Sequence, residues 1–286
     1  MKHQVLQNWL AKKATTLAHG SQLLAISRSG FYSATKRQAA PPKACATRVQ
    51  LRAVFESTDR SYGSRRLRQA MSDQGIRLGR YRVRTLMREL KLKPVWKRKF
   101  VHTTDSNHQQ PVFNNVLNRQ FKLEKTNSAW VSDITYIRTL SGWLYLAVVL
   151  DLASRKIVGW AMAPEMPASL VCSALKIALA QRQPPPGLIV HSDRGSQYAS
   201  QEYRDLLAAH GLIGSMSRKG NCWDNAVMER FFLNLKRERV WQRQYANHGE
   251  ARRDITDYIV NFYNSRRLHS TLGYRSPNDY ELKMAA

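Results

Sequence analysis

The clearest hydrophobic pattern begins at Trp130. The stretch Trp130–Thr139 is rich in β-formers, Ser141-Gly142 is a turn, and Trp143–Asp151 predicts a second strand. Ala153-Ser154-Arg155 makes another turn before a third strand over Lys156–Ala163, so the three form an antiparallel meander. The period then changes. Pro167–Gln181 is amphipathic at helical spacing, and Pro184-Pro185-Pro186-Gly187 ends it. A short buried strand over Leu188–His191, a helix over Gln201–His210, a strand over Leu212–Ser217 and a long helix over Asp224–Val240 follow. Three antiparallel strands and then alternating helix and strand predict an α/β fold.

Upstream the pattern is helical. Residues 1–40 read as short helices, with Ser27-Arg28-Ser29-Gly30 as a capped turn before the aromatic pair Phe31-Tyr32, and Ala39–Lys43 as a linker. A better-defined helical unit covers 48–92. In its last helix, Arg80–Leu92, Val83, Leu86, Met87 and Leu90 form one apolar stripe, and Tyr81, Arg84, Thr85 and Arg88 point away from it. Helix, glycine-containing turn (Gly75, Gly79) and basic helix is the pattern of a helix-turn-helix. A solvated face of a small bundle is the plainer alternative. The predicted organisation is an N-terminal helical segment over 1–40, a helix-turn-helix domain over 45–100, a linker over 101–125, and an α/β domain with a C-terminal helical extension over 126–286.

Charge sharpens this division. The chain of 286 residues has 46 Lys and Arg against 20 Asp and Glu, a net charge of +26, which calls for a polyanionic partner. Residues 1–124 hold +19 of that surplus and residues 125–286 only +7, so the front of the chain reads as the main nucleic-acid grip. Arg48–Lys99 alone contains 16 Lys and Arg and 4 Asp and Glu, which favours DNA contact over a merely solvated face. Cys45, Cys172 and Cys222 are too few and scattered for a disulfide framework or a zinc site. The longest apolar run, Leu144–Leu152, is too short to span a bilayer, and the N-terminus lacks the apolar core of a signal peptide. A reducing, cytoplasmic setting is expected, with no membrane partner.

Three acids occupy places where acids are costly. Asp133 lies inside the first strand, Asp193 just past the end of Leu188–His191, and Glu229 on the long helix. Ligands in open α/β sheets gather at strand ends. Val227, Met228, Phe231, Phe232 and Leu235 cover one face of that helix. Glu229 lies about 130° from the centre of the face, and Lys236 returns to within about 20° of Glu229. Acid and lysine thus share an exposed stripe. Asp224 is placed to cap the helix. Singly, an Asp at a strand end also reads as a cap or surface turn, and a Glu on a helix flank as a solvated acid. Together they suit phosphodiester chemistry, where two hard cations about 3.5–4 Å apart activate the attacking oxygen and stabilise the leaving one. Without metal, carboxylates brought together repel, so the site should form fully only with the ion.

At these residues the sequence resembles the OrfB-type bacterial insertion-sequence transposases, relatives of retroviral integrases with an Asp-Asp-Glu core. The resemblance runs through Trp130-Val131-Ser132-Asp133-Ile134-Thr135-Tyr136-Ile137, His191-Ser192-Asp193-Arg194-Gly195-Ser196-Gln197-Tyr198 and Ser217-Arg218-Lys219-Gly220-Asn221-Cys222-Trp223-Asp224-Asn225-Ala226. It continues in Glu229-Arg230-Phe231-Phe232, Tyr263-Asn264-Ser265-Arg266-Arg267-Leu268-His269 and Leu272-Gly273-Tyr274-Arg275-Ser276-Pro277. The interval of 35 residues between Asp193 and Glu229 is typical of the group. Tyr62-Gly63-Ser64-Arg65-Arg66-Leu67 is similar to its N-terminal DNA-binding region.

The resemblance implies a ribonuclease-H-like mixed sheet flanked by helices, and metal-dependent cleavage and strand transfer of element ends. It implies that Asp133, Asp193 and Glu229 ligate two Mg²⁺ or Mn²⁺ ions. Arg65, Arg66, Arg84, Arg88, Lys219 and Lys236 are the DNA-contact candidates, Lys236 at the DNA end. Ser132 stands where Thr is common and Arg230 where a small residue is common, so Arg230 would alter DNA contacts near the site. His191 is expected to be structural, and His269 a DNA or packing contact. The expected partners are double-stranded DNA at element ends and target, further copies of the chain on that DNA, and the product of an upstream overlapping frame, since the chain has no heptad run of its own. The setting implied is the bacterial nucleoid. The competing readings are a non-catalytic DNA-end-binding regulator of transposition and a nuclease acting on RNA–DNA hybrids.

Overall fold

The computed structural model of the protein describes residues 2–39, 44–95, 110–218 and 222–285. Three helices open the chain: α1 (Lys2–Ala11), α2 (Leu17–Leu23) and α3 (Arg28–Ala39). The helix-turn-helix unit is α4 (Ala44–Ser57), α5 (Ser64–Asp73) and α6 (Arg80–Glu89). On α6 the stripe of Val83, Leu86 and Met87 is buried, while Arg84 and Arg88 are exposed, as helical periodicity requires.

The meander is β1 (Ala129–Thr139), β2 (Gly142–Asp151) and β3 (Ile157–Ala163). Gly142, at φ 112°, supplies the backbone that the tight β1–β2 turn needs. Next come α7 (Ala168–Arg182), β4 (Ile189–Ser192), the short α8 (Ser196–Ala199), α9 (Gln201–Ala209), β5 (Ile213–Met216), α10 (Ala226–Glu238) and α11 (His248–Asp257). A π-helical stretch, Tyr258–Asn264, prolongs α11, and α12 (Pro277–Ala285) ends the described chain. The sheet order is β3-β2-β1-β4-β5. β1, β2 and β3 pair antiparallel, and β4 pairs parallel to both β1 and β5.

Alternation along the strands sorts side chains into two cores. Leu146, Val148 and Leu150 of β2 belong to one core, which extends through Met228 and Phe231 of α10 and Ile255 of α11 to Leu67 of the helix-turn-helix unit. Ala147 and Val149 face α7 and α9, joining Val171, Leu175 and Leu207. The helix-turn-helix unit therefore shares a continuous hydrophobic core with the sheet. The α7 layer sits very close. A Cβ placed on Gly159 of β3 would lie 2.3 Å from the Ala174 carbonyl oxygen, so only glycine allows that approach.

The segment read from sequence as linker is partly built in. From residue 110 onward it lies across β5: Val116 and Leu117 donate their amides to Ser215 Oγ at 3.0 and 3.2 Å, and Leu117 is buried. Among the described residues no helix is long and apolar enough to cross a membrane.

Candidate active site

Strand pairing brings the two aspartates together. β1 and β4 run parallel, and their last registered pair is Val131 with His191. Two residues further along each strand stand Asp133 and Asp193. Both line one cavity of about 440 Å³ at the ends of these strands. The place is where β1, antiparallel to β2 on one side and parallel to β4 on the other, changes the sense of its pairing. Crevices at such strand ends are where α/β sheets bind ligands.

Local bonds fix both carboxylates. The Ile134 amide donates to Asp133 Oδ1 at 2.8 Å, and the Gly195 amide donates to Asp193 Oδ1 at 2.9 Å. Gly195 caps α8, so Asp193 is held in the turn between strand and helix. Glu229 sits in the first turn of α10, exposed, where the helix dipole favours an anion. Burial pushes the Asp133 carboxyl well above the usual carboxylate range, and the charges of Asp193 and Glu229 push the same way. The Ile134 amide and the Lys236 ammonium pull against them. Partial desolvation also raises Glu229, although the residue is exposed, and burial lowers Lys236, the latter opposed by the attraction of Asp133. The charges of Asp193 and Glu229 thus both bear on Asp133, with Lys236 close by.

Among the described residues, no three His, Cys, Asp or Glu side chains are drawn close enough to hold one ion. The chemistry of the donor set nevertheless fits a hard divalent cation. It consists of carboxylate oxygens, and a metal would offset the repulsion that raises Asp133.

The wall behind the acids is structural. His191 is fully buried, between Ser215 Oγ at 2.9 Å from Nδ1 and Ser217 Oγ at 3.2 Å from Nε2. Ser215 already accepts two amides and Ser217 donates to the Ser192 carbonyl. This network assigns the ring a proton on Nε2 and none on Nδ1. Burial pushes His191 down to about 4, so the ring is neutral at neutral pH. His269 is also buried, stacked edge-on against Tyr263 at 4.9 Å, a packing role.

Asp224 departs from its sequence reading as a helix cap. A 3₁₀ turn, Cys222–Asn225, precedes α10, and the cap position falls on Asn225. Asp224 is instead fully buried and accepts from Asn115 Nδ2 at 3.0 Å, Arg119 Nε at 2.7 Å and the Arg218 amide at 3.0 Å. It ties the entry of α10 to the segment crossing β5.

The basic candidates separate. Arg65, Arg84 and Arg88 are exposed. Arg66 is turned inward, its Nη1 3.7 Å from Glu238 Oε1 and its guanidinium over the Tyr62 ring. Lys236 lies 4.2 Å from the centre of the Tyr136 ring. Lys219 lies outside the described residues. Sequence reasoning passed over Tyr136, Arg138 and Trp143 as strand residues, and their strand-like composition held no signal that would have singled them out.

The chain matches the family model described as an integrase core domain over residues 124–222, with a second integrase core model over 210–277 and an HTH-like domain over 45–100. It is 43% identical to the 31 kDa protein of insertion element IS600 from Shigella sonnei, over 92% of this chain and 97% of that protein. It is 39% identical to the transposase InsF for insertion sequence IS3A from Escherichia coli strain K12, over 93% of each chain. The solved HTLV-2 integrase catalytic core in complex with magnesium is more distant, at 16% identity and a TM-score of 0.42 over 53% of this chain and 94% of that one, too loose an overlay to argue from. With relatives this similar along nearly their whole length, the chain belongs to the family of insertion-sequence transposases that includes the InsF proteins of the IS3 elements.

Proposed function

We propose that this transposase cuts the ends of a DNA element and joins them to target DNA, with Asp133, Asp193 and Glu229 as its catalytic carboxylates. The observation that supports this most is the parallel register of β1 and β4. It sets Asp133 and Asp193 side by side at one strand end, where the charge of Glu229, in the first turn of α10, bears on Asp133. These three would hold two Mg²⁺ or Mn²⁺ ions, which when bound activate the attacking oxygen and stabilise the leaving one.

The protein's own residues do the rest. Backbone amides orient Asp133 and Asp193, and the α10 dipole favours Glu229 as an anion. Lys236 places a cation beside Asp133, suited to a phosphate of the bound strand. Arg65, Arg84, Arg88 and Lys219 would contact phosphates farther along the duplex, which sets register rather than sequence. Two ends must meet for joining, so the working form on DNA is at least a dimer, completed by the upstream-frame product. Acting on a bacterial element, it would work in the cytoplasm at the nucleoid.

The test uses the purified full-length chain with labelled element-end duplexes and Mg²⁺ or Mn²⁺. Nicking at 3′ ends and strand-transfer products are expected. Glu229→Gln should abolish both while DNA binding persists. Binding with no metal-dependent chemistry in the unaltered chain would replace this reading with that of an end-binding regulator. A single-chain end complex in light scattering would refute the dimer.

A further inference from the structure

The cavity holding Asp133 and Asp193 has a second wall that phosphoryl transfer does not use. Across the β1–β2 hairpin, Tyr136 pairs with Tyr145 and Arg138 pairs with Trp143. Alternation puts these two pairs on the sheet face whose inner part, at Ala147 and Val149, packs under α7. At the hairpin end Trp143 remains 42% exposed, a large aromatic surface open to solvent. Tyr136 meets Trp143 edge-on at 5.0 Å between ring centres. Cations bracket the pair: Lys236 Nζ lies 4.2 Å from the Tyr136 ring centre, and the Arg138 guanidinium 5.1 Å from that of Trp143. Tyr136, Trp143, Tyr145 and Tyr198 line the same cavity of about 440 Å³ as the two aspartates.

Cation, ring, ring, cation is the arrangement that binds single-stranded nucleic acid: rings stack bases and cations follow the backbone. A paired base cannot use it, because its faces are covered by its neighbours. We propose that this aromatic–basic ladder is a binding site for an unpaired nucleobase of the DNA strand next to the phosphate held at Asp133 and Asp193. The inference rests on the proposed function for placing that phosphate. Charge complementarity selects the occupant: an apolar ligand would leave Lys236 and Arg138 unused, and a duplex would present no base face to Trp143. Extruding a base costs a few kcal/mol, and stacking in the cavity offsets this.

The test measures binding rather than cleavage. Glu229→Gln protein, which should hold DNA uncut, is titrated with two fluorescent end duplexes, one fully paired and one with a single mismatch at the position flanking the cut. The readout is the ratio of the two affinities. A preference for the mismatched end is expected. Adding Trp143→Ala should cut that ratio by about 5- to 150-fold, the range for loss of one base stack. Trp143→Phe should restore most of it, and a thermal melt of each variant reports folding independently. A ratio near one in the starting protein, or a ratio unchanged by Trp143→Ala, would overturn the proposal. If unaltered protein cuts nothing yet the ratio behaves as expected, the catalytic reading fails and the base site stands.

Discussion

Glu238 and Arg267 face each other inside the protein through two bonds, Nε to Oε2 and Nη2 to Oε1, each 2.7 Å long. The Tyr258 hydroxyl donates to the same carboxylate at 2.7 Å, and Arg66 of the helix-turn-helix unit approaches it at 3.7 Å. Next to this pair the Tyr62 hydroxyl accepts the Leu268 amide at 2.9 Å and donates to the Arg266 carbonyl at 3.3 Å. The knot therefore ties the DNA-binding unit to the end of α10, the helix that starts at Glu229. Glu238→Ala leaves a buried guanidinium without its counter-charge. It should lower unfolding stability by about 3–5 kcal/mol, read as a shifted urea midpoint. Tyr62→Phe removes both hydroxyl bonds and should cost less, about 1–3 kcal/mol.

The same pair predicts acid sensitivity. Burial alone would raise the Glu238 carboxyl, but the charge and hydrogen bonds of Arg267, with the Tyr258 bond, hold it below the usual range. A carboxyl depressed on folding adds stability that is complete above its unfolded pKa, about 4.3, and is lost as pH falls through the lower folded value. Asp224 shifts in the same direction, its burial outweighed by Arg218 and Arg119. Buried His191 stays neutral in the fold while the unfolded chain takes up a proton below about pH 6.5, so urea midpoints should begin to fall there and fall more steeply below about pH 4, where the depressed carboxyls titrate. In Glu238→Gln the steep part of the fall should be shallower, since one depressed, buried carboxyl is gone. An equal slope in both proteins would rule the pair out as a source of acid lability.

Gly159 offers a packing test far from any charge. An added methyl would stand 2.3 Å from the Ala174 oxygen and 2.8 Å from the Ala178 nitrogen, both backbone atoms of α7 that cannot rotate away. The helix must then lift from β3. Overpacking of this kind costs about 1–3 kcal/mol, and Gly159→Ala should melt correspondingly lower. Metal-dependent cutting, measured well below that melting temperature, should survive if α7 moves without disturbing β1.

Most elements could be read from the sequence because their signals are local. The run of β-formers at Trp130–Thr139 and the apolar stripe on α6 need only neighbours, and both stand where the pattern puts them. The relations that make the site are not local. Asp133 and Asp193 come together through a parallel pairing across 60 residues, which no single window displays. Asp224 resembled a cap because cap signals are short-range; beside nearby Arg218, its partners Asn115 and Arg119 lie more than 100 residues upstream. Glu238 looks like an ordinary acid at a helix end until Arg267 closes over it. Trp143 and Tyr136 fit strand composition so well that nothing marked them as a surface.

The basic helices divide by what each arginine already holds, and that division can be measured. Arg84 and Arg88 stand exposed on the side of α6 opposite its buried stripe, available to a phosphate backbone. Arg66, only one residue from exposed Arg65, is tied to Glu238 and stacked on Tyr62. A lost phosphate contact releases one fewer counterion, so Arg84→Ala and Arg88→Ala should each weaken DNA binding and lower the slope of log affinity against log salt by about one. Their urea midpoints should stay near the parent value, because an exposed arginine on a helix contributes little to folding. Arg66→Ala should do the reverse. It removes a cation from the Glu238 knot and so lowers the urea midpoint, while the salt slope stays unchanged. Should Arg66→Ala instead reduce the slope and spare the midpoint, the arginine must leave Glu238 when DNA arrives, and the knot would open on binding.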